Sequence, residues 1–354
     1  MRFASTLLRW YSKHKRDLPW RKTKDPYLIW LSEIILQQTR VNQGLPYFLK
    51  FRKKFPSVKK LAAAKQEEVL KLWQGLGYYS RARNLHEAAK SIVKNFGGKF
   101  PSEHSELLKL KGVGEYTAAA IASISFGKPH PVVDGNVVRV LSRNFGIKDT
   151  LASAPGKKKF TALAYKLMGK HPPSEFNQAM MEFGALQCVP KNPACGNCPL
   201  RKSCYAFRNS LVEILPVKKS KPKIRERFFD YFVIQCSNKI LLKKRKGRDI
   251  WKNLYDFPLS ESKRFPAPDA LKKSDCLKRI FGSSNIELKL FGEAHRHVLS
   301  YQHLHARFWK VKQINAGSGG NFDDLALADL RTIKKFPFPR LIERFLEANN
   351  VFDD

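Results

Sequence analysis

The stretch "LLKLKGVGEYTAAAIAS", residues 107–123, decides how the first part of this chain should fold. Gly112 and Gly114 separate two stretches of helical character, which predicts two helices joined by a sharp turn. Such a turn exposes successive backbone N–H groups at the start of the second helix, where a phosphate binds readily. Lys111 adds a positive charge beside the turn. A GxG turn alone is a weak signal, because most such glycines only end helices.

The charge of the chain points to a polyanionic partner. Its 354 residues include 66 Lys and Arg against 30 Asp and Glu, a formal net charge of +36. Nucleic acid is the leading candidate, and an anionic membrane surface is weaker, since no basic amphipathic helix or lipidation motif is present. No run of eighteen apolar residues and no signal peptide are found, so we expect a cytoplasmic protein. Nothing signals oligomerisation, so a monomer is expected.

Hydrophobic periodicity and composition divide the chain into two predicted domains. Helical spacing dominates residues 1–212, and a basic stretch with prolines, residues 213–227, has the composition of a linker. Residues 228–350 alternate strand-like segments such as "FFDYFVIQ" and "KILLKK" with helical ones. The sequence therefore predicts a multidomain protein with an all-α first domain and an α/β second domain.

Four of the six cysteines fall within residues 188–204, "CVPKNPACGNCPLRKSC". In a cytoplasmic protein such a cluster favours metal ligands over disulfides. Zinc suits a CxxC pair, but zinc sites generally use two separated pairs, whereas one pair here stands between single cysteines. From the residues alone an iron–sulfur centre, a zinc site and a disulfide pair all stay open. The candidate ligands are Cys188, Cys195, Cys198 and Cys204.

Two carboxylates interrupt apolar segments. Glu33 lies in "WLSEIILQQT", which is apolar on nearly every side and predicts a buried helix. An unpaired carboxylate there would have a raised pKa and could act as a general acid, although a buried hydrogen bond is the commoner reason for such a glutamate. Asp134 precedes Gly135 and Asn136 in "HPVVDGNVVRVLSR" and is predicted to cap the helix that follows.

The spacing C-x6-C-x2-C-x5-C resembles the 4Fe-4S loop of the endonuclease III superfamily of DNA glycosylases, and the glycine turn looks like their helix-hairpin-helix. "LPWR", "WLSEIILQQT", "GLGYYSRARNLH" and "FNQAMMEFGALQC" resemble the adenine DNA glycosylases of the MutY family. The resemblance is dense up to about residue 210 and looser beyond. It implies a 4Fe-4S cluster, and a duplex carrying adenine opposite 8-oxoguanine or guanine as the partner. The implied activity is removal of that adenine in base excision repair, by a bacterial enzyme associated with the nucleoid.

The resemblance also implies roles for single residues of the first domain. Glu33 would protonate adenine N7, and Asp134 would stabilise the oxocarbenium-like deoxyribose. The positions that help to order this site are Tyr116 and Asn136. The adenine pocket would be lined by Trp20 and Arg21, and the residues that wedge into the base stack beside the mispair would be Gln38 and Tyr78.

Tyr116 separates this chain from the lyases of the superfamily. Endonuclease III-type enzymes carry a lysine at this point of the hairpin, which attacks the sugar as a Schiff-base nucleophile. Here the hairpin reads Gly114-Glu115-Tyr116-Thr117, and the next lysine is Lys128. We therefore expect a monofunctional glycosylase, with an endonuclease III-type oxidised-pyrimidine glycosylase/lyase as the alternative.

The second domain is similar to the Nudix-like module that inspects 8-oxoguanine in this family, most clearly at "DIWKNLYDFPL", residues 249–259. The region "DALKKSDCLKRIFG" lacks the acidic box that holds magnesium in Nudix hydrolases, so this module should bind without hydrolysing. The usual recognition triplet Phe-Ser-His aligns with Leu299-Ser300-Tyr301. Ser300 keeps the hydrogen-bonding position, whereas Tyr301 departs from the pattern. A non-catalytic DNA scaffold is disfavoured because both carboxylates are present.

Overall fold

A computed structural model describes residues 2–217, 224–282, 285–313 and 325–349. The chain forms two compact units, one of residues 1–63 with 84–220 and one of residues 64–83 with 221–354. Part of the predicted linker, residues 218–223, lies outside the described residues, as does residue 350 at the end of the predicted second domain. The exact domain boundaries stay a prediction.

The described residues form fifteen α-helices, and the predicted all-α character of the first unit is confirmed. Single turns of 3-10 helix lie at Pro19–Arg21, Cys195–Asn197, Arg201–Ser203 and Ile333–Lys335. The α-helices are α1 Arg2–His14, α2 Pro26–Leu36, α3 Val41–Lys54, α4 Val58–Ala63, α5 Gln66–Trp73, α6 Ser80–Phe96, α7 His104–Leu108, α8 Glu115–Phe126, α9 Gly135–Phe145, α10 Ala154–Met168, α11 Pro173–Leu186, α12 Tyr205–Arg208, α13 Pro268–Lys272, α14 Asp275–Phe281 and α15 Arg340–Ala348.

The core of the first unit forms around helices that are apolar on most sides. In α2 every residue from Ile29 to Ile35 is buried, because the helix offers almost no polar face to water. The alanine-rich α8 packs against α2 and α11, since small side chains let helices approach closely. A second contact joins α9 to α11. These four helices place most residues of the candidate site.

Residues 64–83 belong to the second unit through polar contacts with its C-terminal part. The Nζ of Lys244 donates to Oε1 of Glu67 over 2.7 Å. The phenol of Tyr79 donates to the carbonyl of Phe338 over 3.1 Å. Sequence composition gives no sign of this grouping, because the stretch is helical like its neighbours.

The second unit holds two sheets with helices packed on them, as predicted for an α/β domain. In the larger sheet the long strand β8 pairs in parallel with β1 and, on its other edge, antiparallel with β6 and β7. The rings of Phe308 on β8 and Phe345 on α15 stack in its core. The strands are β1 Arg225–Val233, β2 Gln235–Cys236, β3 Lys239–Lys244, β4 Tyr255–Asp256, β5 Leu259–Ser262, β6 Ile286–Leu290, β7 His295–Val298, β8 Gln302–Gln313 and β9 Leu325–Asp329.

Candidate active site

One cavity of the first unit, about 520 Å³ in volume, collects six of the predicted site residues. They come from the 3-10 turn after α1, from α2, from the start of α8 and from the start of α9. Distant parts of the sequence therefore converge on one volume. The six residues are Trp20, Arg21, Glu33, Tyr116, Asp134 and Asn136.

Glu33 is a buried carboxyl group at the wall of this cavity, with 8% of its surface exposed. The Oη of Tyr116 donates a hydrogen bond to its Oε2 over 2.5 Å. Burial raises the pKa of Glu33 to about 7; the Tyr116 hydrogen bond opposes the rise, and the charge of Asp134 adds to it. A carboxyl group with such a pKa is protonated in a useful fraction of molecules near neutral pH, which is what a general acid needs.

Asp134 caps α9, as predicted. Its Oδ1 accepts from the backbone N–H of Val137 over 2.8 Å, and its Oδ2 accepts from Nδ2 of Asn136 over 2.7 Å. Burial raises the pKa of Asp134, and these donors act against the rise by favouring the charged form. The carboxylate is thus fixed in orientation beside the same cavity as Glu33. Two carboxyl groups in different environments are suited to separate acid and charge-stabilising duties.

An ion cluster that the sequence did not predict forms another part of the wall. The guanidinium of Arg21 donates to both oxygens of Glu182, each over 2.7 Å, and Arg16 donates to the same carboxylate. Burial works against the charge of Glu182, but the hydrogen bonds from Arg21 and Arg16 lower its pKa to about 2. The sequence did hold a signal, since Glu182 interrupts the apolar stretch "AMMEFGAL" as Glu33 interrupts its own helix.

Asn177 on α11 fixes the loop that leads to Asp134. Its Oδ1 accepts from the backbone N–H of Val132 over 3.0 Å, and its Nδ2 donates to the carbonyl of His130 and to Oγ of Ser123, each over 2.8 Å. The side chain is buried, so each of these bonds replaces one with water. Asn177 therefore holds the approach to α9 in one conformation.

Two buried arginines of α9 support the cysteine loop. Arg139 donates to Oδ1 of Asn136 over 2.9 Å and to the carbonyls of Gly184 and Cys188, each over 2.7 Å. Arg143 donates to the carbonyl of Val189 over 2.8 Å, and its Nη1 lies 3.5 Å from the sulfur of Cys188. The same helix thus begins at its N-cap Asp134, beside the cavity, and holds the cysteine loop along its side.

The four cysteines of this loop are free thiols that lie close enough to interact electrostatically with one another. Burial raises the pKa of Cys198 to about 11. In the described ranges no group of three or more His, Cys, Asp or Glu side chains is already arranged around a metal position. Four thiols on one short loop, with the guanidinium of Arg143 near Cys188, are nevertheless a donor set of the kind that binds iron–sulfur clusters or zinc.

The hairpin residues lie outside the cavity, at the surface of the first unit. Lys111, Gly112 and Gly114 are all exposed, and Gly114 is the N-terminal cap of α8. Gly112 has a φ of 76°, and a Cβ there would approach Cβ of Asn84 to 2.7 Å, so glycine is required. The turn leaves the first N–H groups of α8 at the surface, as an anion site needs.

The remaining predicted residues are not among those that line this cavity. Gln38 follows α2, is exposed and has a φ of 56°. Tyr78, in the second unit, has a φ of 47° and is hydrogen-bonded through its Oη to Oγ of Ser300. Ser300 and the exposed Tyr301 form the turn between β7 and β8, and with Tyr78 they line a second cavity of about 370 Å³. The structure thus brings together Tyr78, Ser300 and Tyr301.

Comparisons with known proteins agree with this architecture. Residues 31–169 match the "HhH-GPD superfamily base excision DNA repair protein" family, and residues 230–348 match the "NUDIX domain" family. The solved structure of a thermostable thymine-DNA glycosylase is 33% identical and superimposes with a TM-score of 0.55, covering 58% of this chain and 95% of that one. An endonuclease III–DNA covalent intermediate, 22% identical, shares the fold at a TM-score of 0.52 over 59% of this chain and 95% of its own. The first unit is therefore a DNA glycosylase of the helix-hairpin-helix class.

The closer assignment comes from a curated relative. The adenine DNA glycosylase of Buchnera aphidicola subsp. Schizaphis graminum is 37% identical over 307 residues, which cover 86% of this chain and 84% of that protein. The chain belongs to the adenine DNA glycosylase family, hydrolases that act on N-glycosyl bonds of DNA in base excision repair. The predicted activity class is confirmed. Separately, none of the helices in the described residues is both long and apolar enough to cross a membrane.

Proposed function

We propose that this enzyme removes adenine that is mispaired with 8-oxoguanine or guanine in double-stranded DNA, and that it does so as a monomer without strand cleavage. The observation that carries the proposal is the buried Glu33, hydrogen-bonded to Tyr116 and facing the same cavity as Asp134. We further propose that the enzyme acts at the nucleoid in the cytoplasm of a bacterial cell.

Adenine leaves poorly as an anion, so protonation must precede or accompany bond cleavage. In our proposal Trp20 and Arg21 hold the flipped adenine, and the protonated carboxyl of Glu33 donates its proton to adenine N7. The glycosidic electron pair then moves into the neutralised base. The cationic charge that develops on the sugar is stabilised by Asp134, whose two oxygens are already held by Val137 and Asn136.

Water completes the reaction. After proton transfer Glu33 is a carboxylate, and it can take a proton from the water that attacks the anomeric carbon. Tyr116 is suited to holding Glu33 in place through both stages, since its hydroxyl donates to Oε2. Asn136 is likewise suited to fixing the orientation of Asp134.

Hydrolysis without strand cleavage is supported by the residues around the cavity. Among the described residues that line it, none is a lysine, and the hairpin position nearest Glu33 is a tyrosine. A Schiff-base route needs an uncharged amine beside the sugar. Arginine, the only strong base type in the lining, stays protonated and cannot serve.

Further residues are assigned to the base stack, to the base opposite the adenine and to the phosphate backbone. We propose that Gln38 and Tyr78 wedge into the base stack and that Ser300 hydrogen-bonds the oxidised guanine, with Tyr301 beside it. The hydrogen bond between Tyr78 and Ser300 and their common cavity support this role, because wedge and reader then meet at one place. Lys111 and the turn at Gly112 and Gly114 would hold a backbone phosphate.

We further propose that Cys188, Cys195, Cys198 and Cys204 hold a 4Fe-4S cluster. The mutual interaction of the four thiols and the guanidinium of Arg143 near Cys188 fit a group of negatively charged thiolates. When bound, such a cluster supplies covalent cross-links that fix the fold of its loop, and redox capacity. The chain itself contributes the buried arginines of α9, which tie the loop to the helix that begins at Asp134.

The test is strand cleavage of a labelled duplex carrying one adenine opposite 8-oxoguanine, with and without alkali. A duplex with adenine opposite guanine and a duplex with an oxidised pyrimidine are assayed in parallel. Cleavage of the adenine strand only after alkali is expected. Glu33→Gln should slow adenine release by about a thousandfold. The matched control is Glu87→Gln, an exposed glutamate on α6, which should keep full activity.

Other outcomes would contradict the proposal. Cleavage of the oxidised-pyrimidine strand without alkali would identify the endonuclease III-type activity instead. Binding without cleavage of any strand would identify a scaffold. For the cluster, zinc without iron in the purified protein would refute the 4Fe-4S assignment.

A further inference from the structure

The second unit carries a cationic groove beside the turn that bears Ser300. The groove has a volume of about 520 Å³ and presents five cationic side chains against the single carboxylate of Asp249. Its cationic members come from α6, from the start of β1 and from the loop between β3 and β4. They are Arg83, Arg225, Arg227, Arg248 and Lys252.

The fold already neutralises part of this charge. Buried Arg227 donates through Nε and Nη2 to the carboxylate of Glu261, over 2.7 and 2.8 Å, and lies 3.3 Å from Asp249. Asp249 is also paired with Arg245. The one carboxylate in the groove is therefore taken up by two arginines and does not offset the other cations.

Three cations at the mouth of the groove have no carboxylate partner within the part of the chain that the structure describes. Arg225, Arg248 and Lys252 are exposed, and none of them forms an ion pair there. The backbone is hydrogen-bonded at two of them. The N–H of Arg225 donates to the carbonyl of Tyr301 over 3.1 Å, and the carbonyl of Lys252 accepts from Nη1 of Arg83 over 2.8 Å. Exposed cations without a carboxylate partner suit phosphate oxygens.

The position of the groove indicates which phosphates of a DNA duplex it would bind. It shares Tyr78, Ile250 and Gln302 with the cavity that holds Ser300 and Tyr301. A strand whose oxidised base reaches that cavity would carry its neighbouring phosphates past the shared residues and into the groove. Apart from Tyr78 and Ile250 the lining is polar, so it offers little to a stacked base and much to a backbone.

We propose that this groove binds the backbone phosphates of the DNA strand opposite the target adenine, through Arg225, Arg248 and Lys252. The proposal rests on the proposed function, because it takes the strand that carries 8-oxoguanine as the one read by Ser300. The groove supplies affinity without base specificity and holds that strand while the turn at Ser300 reads its base. The same chemistry would accept the phosphates of a free nucleotide, and the experiment separates the two sources.

The experiment measures the affinity of the full chain for a duplex at several salt concentrations. Its adenine is replaced by 2′-fluoro-2′-deoxyadenosine, which resists excision, opposite 8-oxoguanine. The groove variant combines Arg225→Gln, Arg248→Gln and Lys252→Gln. Each lost phosphate contact should reduce the slope of log K against log salt by about 0.9, and the triple variant therefore by up to about 3. The matched control changes three exposed lysines elsewhere in the unit, Lys273→Gln, Lys278→Gln and Lys289→Gln, and should keep the slope.

Uncharged methylphosphonate linkages then identify the strand. Placed beside 8-oxoguanine, they should weaken binding by the unchanged chain and have no effect on the groove variant. An unchanged slope in the groove variant, an equal slope loss in the control, or methylphosphonate sensitivity only on the adenine strand would overturn the proposal. So would tight binding of dGTP that the groove variant loses while its DNA slope stays the same.

Failure of the groove assignment and failure of the proposed function give different results. Release of adenine from an ordinary duplex by the unchanged chain tests the proposed function and does not involve the groove. If adenine is not released but the slope falls and the methylphosphonate effect appears as expected, the groove binds the backbone of that strand and the proposed function is wrong. If adenine is released and the slope does not fall, the groove assignment is wrong. Equal thermal unfolding of the groove variant and the unchanged chain excludes loss of folding as the cause of a lower slope.

Discussion

The phenolic oxygen of Tyr116 lies 2.5 Å from Oε2 of Glu33 and donates the hydrogen bond that joins them, although the residues are 83 positions apart. The hydrogen bond partly offsets the rise in the pKa of Glu33 that burial causes, and the result is a pKa of about 7. The two residues together therefore determine how much of the acid form exists at neutral pH.

The pH dependence of adenine release should follow from this pair. If the protonated form of Glu33 is the acid, the single-turnover rate falls as pH rises through about 7. Tyr116→Phe removes a hydrogen bond that favours the carboxylate. The falling limb of the pH–rate profile should therefore move to higher pH. The measurement is the single-turnover rate from pH 5 to 9. Tyr165→Phe, an exposed tyrosine on α10, is the control and should leave the limb where it is. An unmoved limb in Tyr116→Phe would contradict the role of Tyr116.

The same pKa predicts a pH-dependent cost in stability. Folding raises the pKa of Glu33 from 4.5 to about 7, so between these values the folded state holds more protons than the unfolded state. The free energy of unfolding therefore falls as pH rises through that window, by about 3 kcal/mol. Glu33→Gln removes this loss. The free energy of unfolding of the variant, relative to that of the unchanged chain, should therefore rise from pH 5 to pH 8. Urea unfolding at the two pH values measures the gain, with Glu87→Gln as the control. An equal difference at both pH values would show that the carboxyl is not perturbed.

Parts of this site could be predicted from the sequence, and physical reasons separate them from the rest. Glu33 was predictable because a carboxylate inside a helix that is apolar all round is a conspicuous local exception. Asp134 was predictable because capping depends on residues three positions apart. The ion cluster of Arg21 with Glu182 joins residues 161 positions apart, and no local pattern states which distant cation a buried acid will meet.

The fold, too, was predictable from the sequence only in part. Periodicity predicted the helical first unit and the mixed second unit, since both depend on local hydrophobic spacing. It gave no sign that residues 64–83 group with the C-terminal part of the chain, because that grouping depends on side-chain partners such as Glu67 with Lys244. The cysteine loop was visible from its spacing, whereas its dependence on Arg139 and Arg143 was not. Both arginines lie in an ordinary amphipathic helix and look like surface residues in the sequence.

Arg139 should therefore be essential to the structure around Asn136. Arg139→Met leaves Oδ1 of Asn136 and the carbonyls of Gly184 and Cys188 without their donor. Unsatisfied buried acceptors cost about 1–3 kcal/mol each, so a loss of at least about 2 kcal/mol in the free energy of unfolding is expected. Arg208→Met, an exposed arginine on α12, should cost less than about 0.5 kcal/mol. Chemical unfolding measures both, and equal values for the two variants would refute the buried role of Arg139.

Asn177 is predicted to be a positioning residue for Asp134. Asn177→Ala frees the loop at His130 and Val132, so Asp134 should spend less time where cationic charge develops. We expect the single-turnover rate to fall about tenfold or more while the affinity for the duplex and the falling pH limb stay unchanged. Asn95→Ala, an exposed asparagine on α6, is the control. A variant that loses affinity in proportion to its rate would show a general structural defect and not a loss of positioning.

The hydrogen bond between Tyr78 and Ser300 should affect the choice of mispair more than the chemistry. The residues are 222 positions apart and both are exposed, so neither Tyr78→Phe nor Ser300→Ala should change the free energy of unfolding by more than about 0.5 kcal/mol. Each should slow adenine release opposite 8-oxoguanine by about two- to tenfold, the range of one hydrogen bond, and leave release opposite guanine unchanged. The double variant should be no slower than the slower single one, because both changes break the same contact. Additive losses in this double-mutant cycle, or equal losses on the two duplexes, would show that the contact has no part in reading the opposite base.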